Sequence, residues 1–182
     1  MTSCVRRSPA RGCWALGLYT LLWLFVGLPG RAADRLAEVQ VGSLLRDAKL
    51  EGLNGPSRLL ADFRGRPLLI NVWASWCGPC RQEMESLERL AWHDRNPYFA
   101  IIGISTDDYP AQAHSVLKAT HATLSHFIDN DLQMETMLGA TRLPLTVLVG
   151  PDGRVLQKIY GARDWNSDES RRLIDAAFSH GA

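Results

Sequence analysis

The segment Leu68-Leu69-Ile70-Asn71-Val72-Trp73-Ala74 constrains the fold of this chain more than any other. It is almost continuously apolar, and its length suits a strand covered on both faces. Such burial implies helices on either side of a sheet. Directly after it stand Trp76-Cys77-Gly78-Pro79-Cys80, and then Met84, Leu87, Leu90 and Ala91 recur at helical spacing, with Arg81, Gln82, Glu85, Glu88 and Arg89 on other faces. The pattern reads as a strand, a tight turn carrying two cysteines, and an amphipathic helix.

Downstream the alternation continues. The sequence predicts a second buried strand over 98–105, a helix over 111–120 opened by Pro110, a short strand over 124–128, and a helix over 131–138 stopped by Gly139. A strand pair follows at 145–149 and 154–160, turned by Pro151-Asp152-Gly153, and a helix over 168–180 closes the chain. Upstream, Gly52, Asn54, Gly55 and Pro56 mark turns between short extended pieces, read as an N-terminal strand or hairpin packed on the main sheet. The expectation is an α/β fold around a mixed central sheet flanked by helices.

The 182 residues, 46% of them apolar, suffice for one domain with a terminal appendage. Arg6, Arg7, Arg11 and Arg31 all lie in that appendage. Beyond residue 33, sixteen basic residues face nineteen acidic ones, so the body is mildly acidic and carries no footprint for nucleic acid. Residues 12–30 are uncharged, follow three arginines, and lead into Pro29-Gly30-Arg31-Ala32-Ala33, the layout of an export signal cleaved after Ala32. The run also approaches the roughly 20 residues that span a bilayer, so an uncleaved anchor competes with the favoured cleavage. We therefore read 1–32 as a signal peptide or N-terminal membrane anchor and 36–182 as the folded body. The body is expected in the periplasm or otherwise outside the cytoplasm, soluble after cleavage or membrane-anchored without it.

Cys4 and Cys13 belong to the export segment, which leaves Cys77 and Cys80 to the body. Two cysteines three apart close too small a loop to restrict the unfolded chain much, so the pair is read as chemical rather than structural. Disulfide exchange needs one attacking thiolate and one thiol that resolves the mixed disulfide. At the start of a helix, free amide N–H groups and the helix dipole favour a Cys77 thiolate, and Pro79 suits an early position that needs no donor. Cys80 shares a stripe with Met84 and Leu87. We expect a partly exposed nucleophile and a buried resolver. A zinc site would want four ligands, and His93 lies roughly 20 Å down the same helix, so neither a metal nor a cofactor is assigned. Copper carriage by the cysteine pair with Met84 or a distant histidine is the alternative. His93, His114, His121, His126 and His180 show no ligand spacing; Met134 and Met137 read as helix packing; Trp73 is assigned to the core and Trp76 to the surface beside Cys77.

The run Asn71-Val72-Trp73-Ala74-Ser75-Trp76-Cys77-Gly78-Pro79-Cys80-Arg81-Gln82-Glu83-Met84 resembles the active-site segment of the TlpA/ResA-like thiol-disulfide oxidoreductases. So does the downstream Leu143-Pro144-Leu145-Thr146-Val147-Leu148-Val149 with Asp152-Gly153-Arg154. The likeness extends from about Leu36 to the C-terminus. It implies a thioredoxin fold with an N-terminal hairpin extension and a helix-containing insertion, placed here at 107–125. It also implies a cis Leu143-Pro144 bond beside the cysteines, with Trp76, Gly78, Pro79, Leu143 and Pro144 contacting substrate. Thioredoxin itself carries a buried acid at the position of Asn71, so the resemblance moves proton handling to Glu83, where similar proteins place a glutamate. Leu145 departs from the family, in which a threonine commonly follows the proline. The implied activity is reduction of protein disulfides outside the cytoplasm, in cytochrome c maturation, metal-centre assembly or related tasks. Gly78-Pro79, shared with thioredoxin, favours the reducing direction over an oxidant that installs disulfides. The implied partners are proteins with disulfides or dithiols and a membrane protein that supplies electrons.

Overall fold

The computed structural model describes residues 37–92 and 98–180, the side chain of His180 excepted. The export segment expected at 1–32, with Cys4 and Cys13, lies outside the described residues, as does His93. Among the described residues seven strands form one sheet: β1 (Lys49–Gly52), β2 (Arg58–Leu59), β3 (Leu68–Trp73), β4 (Ala100–Ser105), β5 (Ser125–Ile128), β6 (Leu145–Val149) and β7 (Val155–Tyr160). Their order is β2-β1-β5-β4-β3-β6-β7. β3 pairs in parallel with β4 and β4 with β5, whereas β6 runs antiparallel to β3 and β7 to β6. The helices are α1 (Gly78–Trp92), α2 (Pro110–Ala119), α3 (Gln133–Leu138) and α4 (Asp168–His180), with a 3-10 turn at Leu60–Phe63.

All six residues of β3 are buried, as its unbroken apolarity required. Alternate side chains serve opposite layers. Leu69 packs with Leu87, Leu90, Ile174 and Phe178, and Trp73 with Met84, Ala113 and Leu117, which puts α1, α2 and α4 on one face. Ile70 and Val72 pack with Val39, Leu45, Met134, Met137 and Leu138, so α3 and the N-terminal stretch cover the other. Each such aliphatic residue contributes about 1.5–3 kcal/mol by leaving water.

This is the mixed sheet between helices that the sequence predicts. The expected hairpin is β1–β2, which extends the sheet beyond β5. The segment 107–125 holds α2 and runs into β5. The helix expected from 131 starts at Gln133 instead. Leu132 adopts φ +52°, and the Asp129 carboxylate accepts hydrogen bonds from the Met134 and Glu135 amides, so the helix begins where that cap reaches.

Candidate active site

Residue 77 ends the strand-to-helix turn. Its amide donates to the Ala74 carbonyl, its own carbonyl accepts from Arg81 at 3.3 Å, and α1 begins at the next residue. Cys77 is therefore the N-cap of α1, and its Sγ stands where a capping oxygen would, accepting the Cys80 amide N–H at 3.2 Å. Pro79 lies in the first turn of α1, where N–H groups have no intrahelical acceptor, so its missing donor breaks no helix hydrogen bond. The two sulfurs form a disulfide with Cα atoms 5.3 Å apart. Cys80 is fully buried and Cys77 retains 5% exposure. The order of exposure follows the sequence expectation, but Cys77 is less open than expected. In the disulfide state its sulfur is drawn towards Cys80 and packs among Leu53, Trp73, Ala74 and Met84.

Trp76 projects into solvent at 71% exposure beside Gly78 and the exposed Pro79, while Trp73 is fully buried. The Leu143-Pro144 bond is cis, Pro144 is buried, and Leu143 packs partly against the Cys77–Cys80 cluster. The structure thus sets Leu143, with Pro144 next to it in the chain, beside the cluster that holds the disulfide flanked by Trp76, Gly78 and Pro79, from two segments more than sixty residues apart in the chain.

Glu83, one helical turn beyond Cys80, is only 2% exposed. Its Oε1 accepts from Asn71 Nδ2 at 2.7 Å; its Oε2 accepts from Trp165 Nε1 at 2.9 Å and from the Arg163 amide at 3.3 Å. Burial pushes its carboxyl above the ordinary carboxylate value, while the hydrogen bonds of Trp165, Asn71 and the Arg163 backbone, and the Arg163 charge, pull it back. Such a balance suits a group that takes and returns a proton. Beside it, an open cleft of about 330 Å³ is lined by Gln82, Glu83, Ser86, Arg89 and 162–164.

Two residues that hold the site escaped the sequence reading. Trp165 donates to Glu83 from 82 positions away; its only signal was a large apolar residue alone in the polar stretch before α4. Asp107 is buried and accepts from the Ser75 amide at 2.9 Å, from Ser75 Oγ at 2.6 Å and from Ser105 Oγ at 2.7 Å, which clamps the residues leading into Cys77. His126, given no ligand role from the sequence, is buried edge-on against Trp73, ring centroids 5.6 Å apart, and its Nδ1 has no partner. Among the described residues no three of His, Cys, Asp or Glu converge as a metal-ligating group.

The chain matches the Redoxin family over residues 40–173. It is 32% identical over 154 residues to the thiol:disulfide interchange protein DsbE of Pseudomonas aeruginosa, covering 82% of this chain and 83% of that one. It is 25% identical over 123 residues to the thiol-disulfide oxidoreductase ResA of Bacillus subtilis, covering 68% and 69%. Among solved structures, a crystal structure described as a thiol:disulfide interchange protein DsbE from Chlorobium tepidum superposes with a TM-score of 0.70 at 25% identity, covering 77% of this chain and 99% of that one.

Proposed function

The chain belongs to the Redoxin family and is a thiol-disulfide oxidoreductase of the thioredoxin fold, and from that premise we propose that it reduces disulfides in partner proteins outside the cytoplasm. The observation that carries the reading is the Cys80 amide aimed at Cys77 Sγ at the N-cap of α1. The same N–H stabilises a thiolate once the disulfide is reduced. In the proposed cycle the Cys77 thiolate attacks a substrate disulfide, expels one substrate thiolate and leaves a mixed disulfide. Cys80 passes its proton to Glu83 and attacks Cys77 Sγ. The Cys77–Cys80 bond forms, the second substrate thiolate departs, and the oxidised state seen here is regenerated.

Trp76 and Leu143 would present the surface on which an extended substrate segment lies beside Pro144. Electrons would come from a membrane protein, and the uncharged run at 12–30 would export the body or anchor it. No helix among the described residues is long and apolar enough to cross a membrane. The reduction potential of the Cys77/Cys80 pair tests the direction. A value more negative than about −200 mV, with reduction of insulin disulfides, supports a reductase, while one near −120 mV reveals an oxidant. Stoichiometric Cu(I) retention without insulin reduction would replace the redox reading by copper carriage.

A further inference from the structure

The two carboxylate oxygens of Glu83 have unlike surroundings. Oε2 meets Trp165 Nε1 and the Arg163 amide, and neither can accept a hydrogen bond. Oε1 meets Asn71 Nδ2, which also donates to Thr146 Oγ1 at 3.1 Å. Asn71 Oδ1 is buried without a partner. Rotated by half a turn, the Asn71 amide would offer Oδ1 to Glu83 and to Thr146, whose hydroxyl can donate as readily as accept. Its amino group would then take the unpaired place, so the rotation exchanges one orphan for another. Trp165 is well anchored: it is fully buried, its amide donates to Ser86 Oγ at 3.0 Å, Ser86 Oγ donates to the Glu83 carbonyl at 2.7 Å, and the Arg163 guanidinium lies 5.5 Å over its ring.

We propose that Trp165 is a positioning residue for proton transfer: its indole N–H fixes the Glu83 carboxylate so that an arriving proton settles on Oε1, where the rotated Asn71 amide accepts its hydrogen bond. The proposal rests on the reading of Glu83 as the base for Cys80. In the step, the Cys80 thiol gives its proton to Glu83 Oε1. The resulting thiolate attacks Cys77 Sγ of the mixed disulfide, the Cys77–Cys80 bond forms, and the partner's thiolate leaves with the electron pair of the broken bond. Glu83 then returns the proton to water in the cleft alongside.

The test is a carbon-13 titration of the Glu83 carboxyl in the oxidised full-length protein, paired with the pH dependence of insulin reduction. In the unaltered chain the Asn71 side-chain amide signals should move through the same midpoint as the carboxyl. In Trp165→Phe, which keeps a large ring and removes the N–H, the carboxyl midpoint and the acid limb of the rate profile should both rise by about one pH unit. Benzothienylalanine at position 165, which keeps the indole shape and lacks the N–H, should reproduce the rise and serves if the phenylalanine variant folds poorly. A uniformly slower rate with an unmoved midpoint in these variants would overturn the proposal, as would a shift that survives in the Glu83→Gln background. Superimposable profiles for Glu83→Gln and the unaltered chain would remove Glu83 as the base and this proposal with it. A Glu83-dependent profile indifferent to Trp165 would remove this proposal alone.

Discussion

Cys77 and Cys80 are the same chemical group in different surroundings, and in the proposed cycle that difference would separate their roles. Cys77 meets a helix-terminal amide and keeps a sliver of exposure, whereas Cys80 has none. Cys77→Ser should therefore abolish exchange, and Cys80→Ser should accumulate mixed disulfides with partner proteins, seen on non-reducing gels and by mass spectrometry. Trapping through Cys80 in the Cys77→Ser protein would reverse the assignment. Glu83→Gln should slow the reduction of disulfides near neutral pH, on the order of a hundredfold if proton transfer limits the step. Its effect on stability has the opposite sign. The folded chain holds the Glu83 proton to higher pH than the unfolded chain does, so the contribution of this group is present at acid pH and is lost as pH rises through the folded value. At neutral pH the variant should melt at a higher temperature than the unaltered chain. The cysteines were legible because their chemistry depends on local spacing. Glu83 entered as a candidate through the resemblance, and its burial was not legible, because the partners that bury it, Asn71 and Trp165, come from elsewhere in the chain.

At the scale of elements, the turn between β3 and α1 is held from outside by Asp107, at the end of the neighbouring parallel strand. Asp107→Asn replaces one acceptor oxygen with an amino group facing donors, and so leaves a buried polar group unsatisfied. The expected cost is about 2 kcal/mol, or a fall of about 5 °C in melting temperature, read by calorimetry. The Cys77 alkylation rate should change with it, because the clamped residues lead directly into the nucleophile. Strand β3 and helix α1 were plain in the sequence, since an unbroken apolar run and a 3.6-residue stripe are periodic signals. The clamp was not, since an aspartate just past a strand and next to Asp108 looks like any loop residue until the parallel pairing of β3 with β4 sets it against Ser75. The first turn of the 131–138 helix was likewise overestimated, because the cap that starts it comes from Asp129 rather than from the residue before it.

The order of elements along the chain was enough to anticipate the whole molecule, but not which faces of the sheet would confine which side chains. His126 on β5 fills the space where Gly103 on β4 lacks a side chain; a Cβ there would lie 2.1 Å from its Nδ1. Burial lowers its pKa to about 4, against a smaller upward pull from Glu88. The folded chain therefore resists protonation that the unfolded chain accepts, so stability is complete above about pH 6.5 and drains away as pH falls towards 4. His126→Phe should flatten that slope, retaining on the order of 3 kcal/mol at pH 4 relative to the unaltered chain, measured by denaturant titrations at pH 4 and 7. A last consequence concerns the cleft beside Glu83. Its lining comes from the flank of α1 and residues 162–164, and includes none of Trp76, Cys77, Leu143 or Pro144. On the proposed cycle, electrons and protons would therefore use separate doors: a partner seated over the sulfurs would leave the cleft beside Glu83 open to bulk solvent, and proton exchange would continue while the substrate is covalently attached.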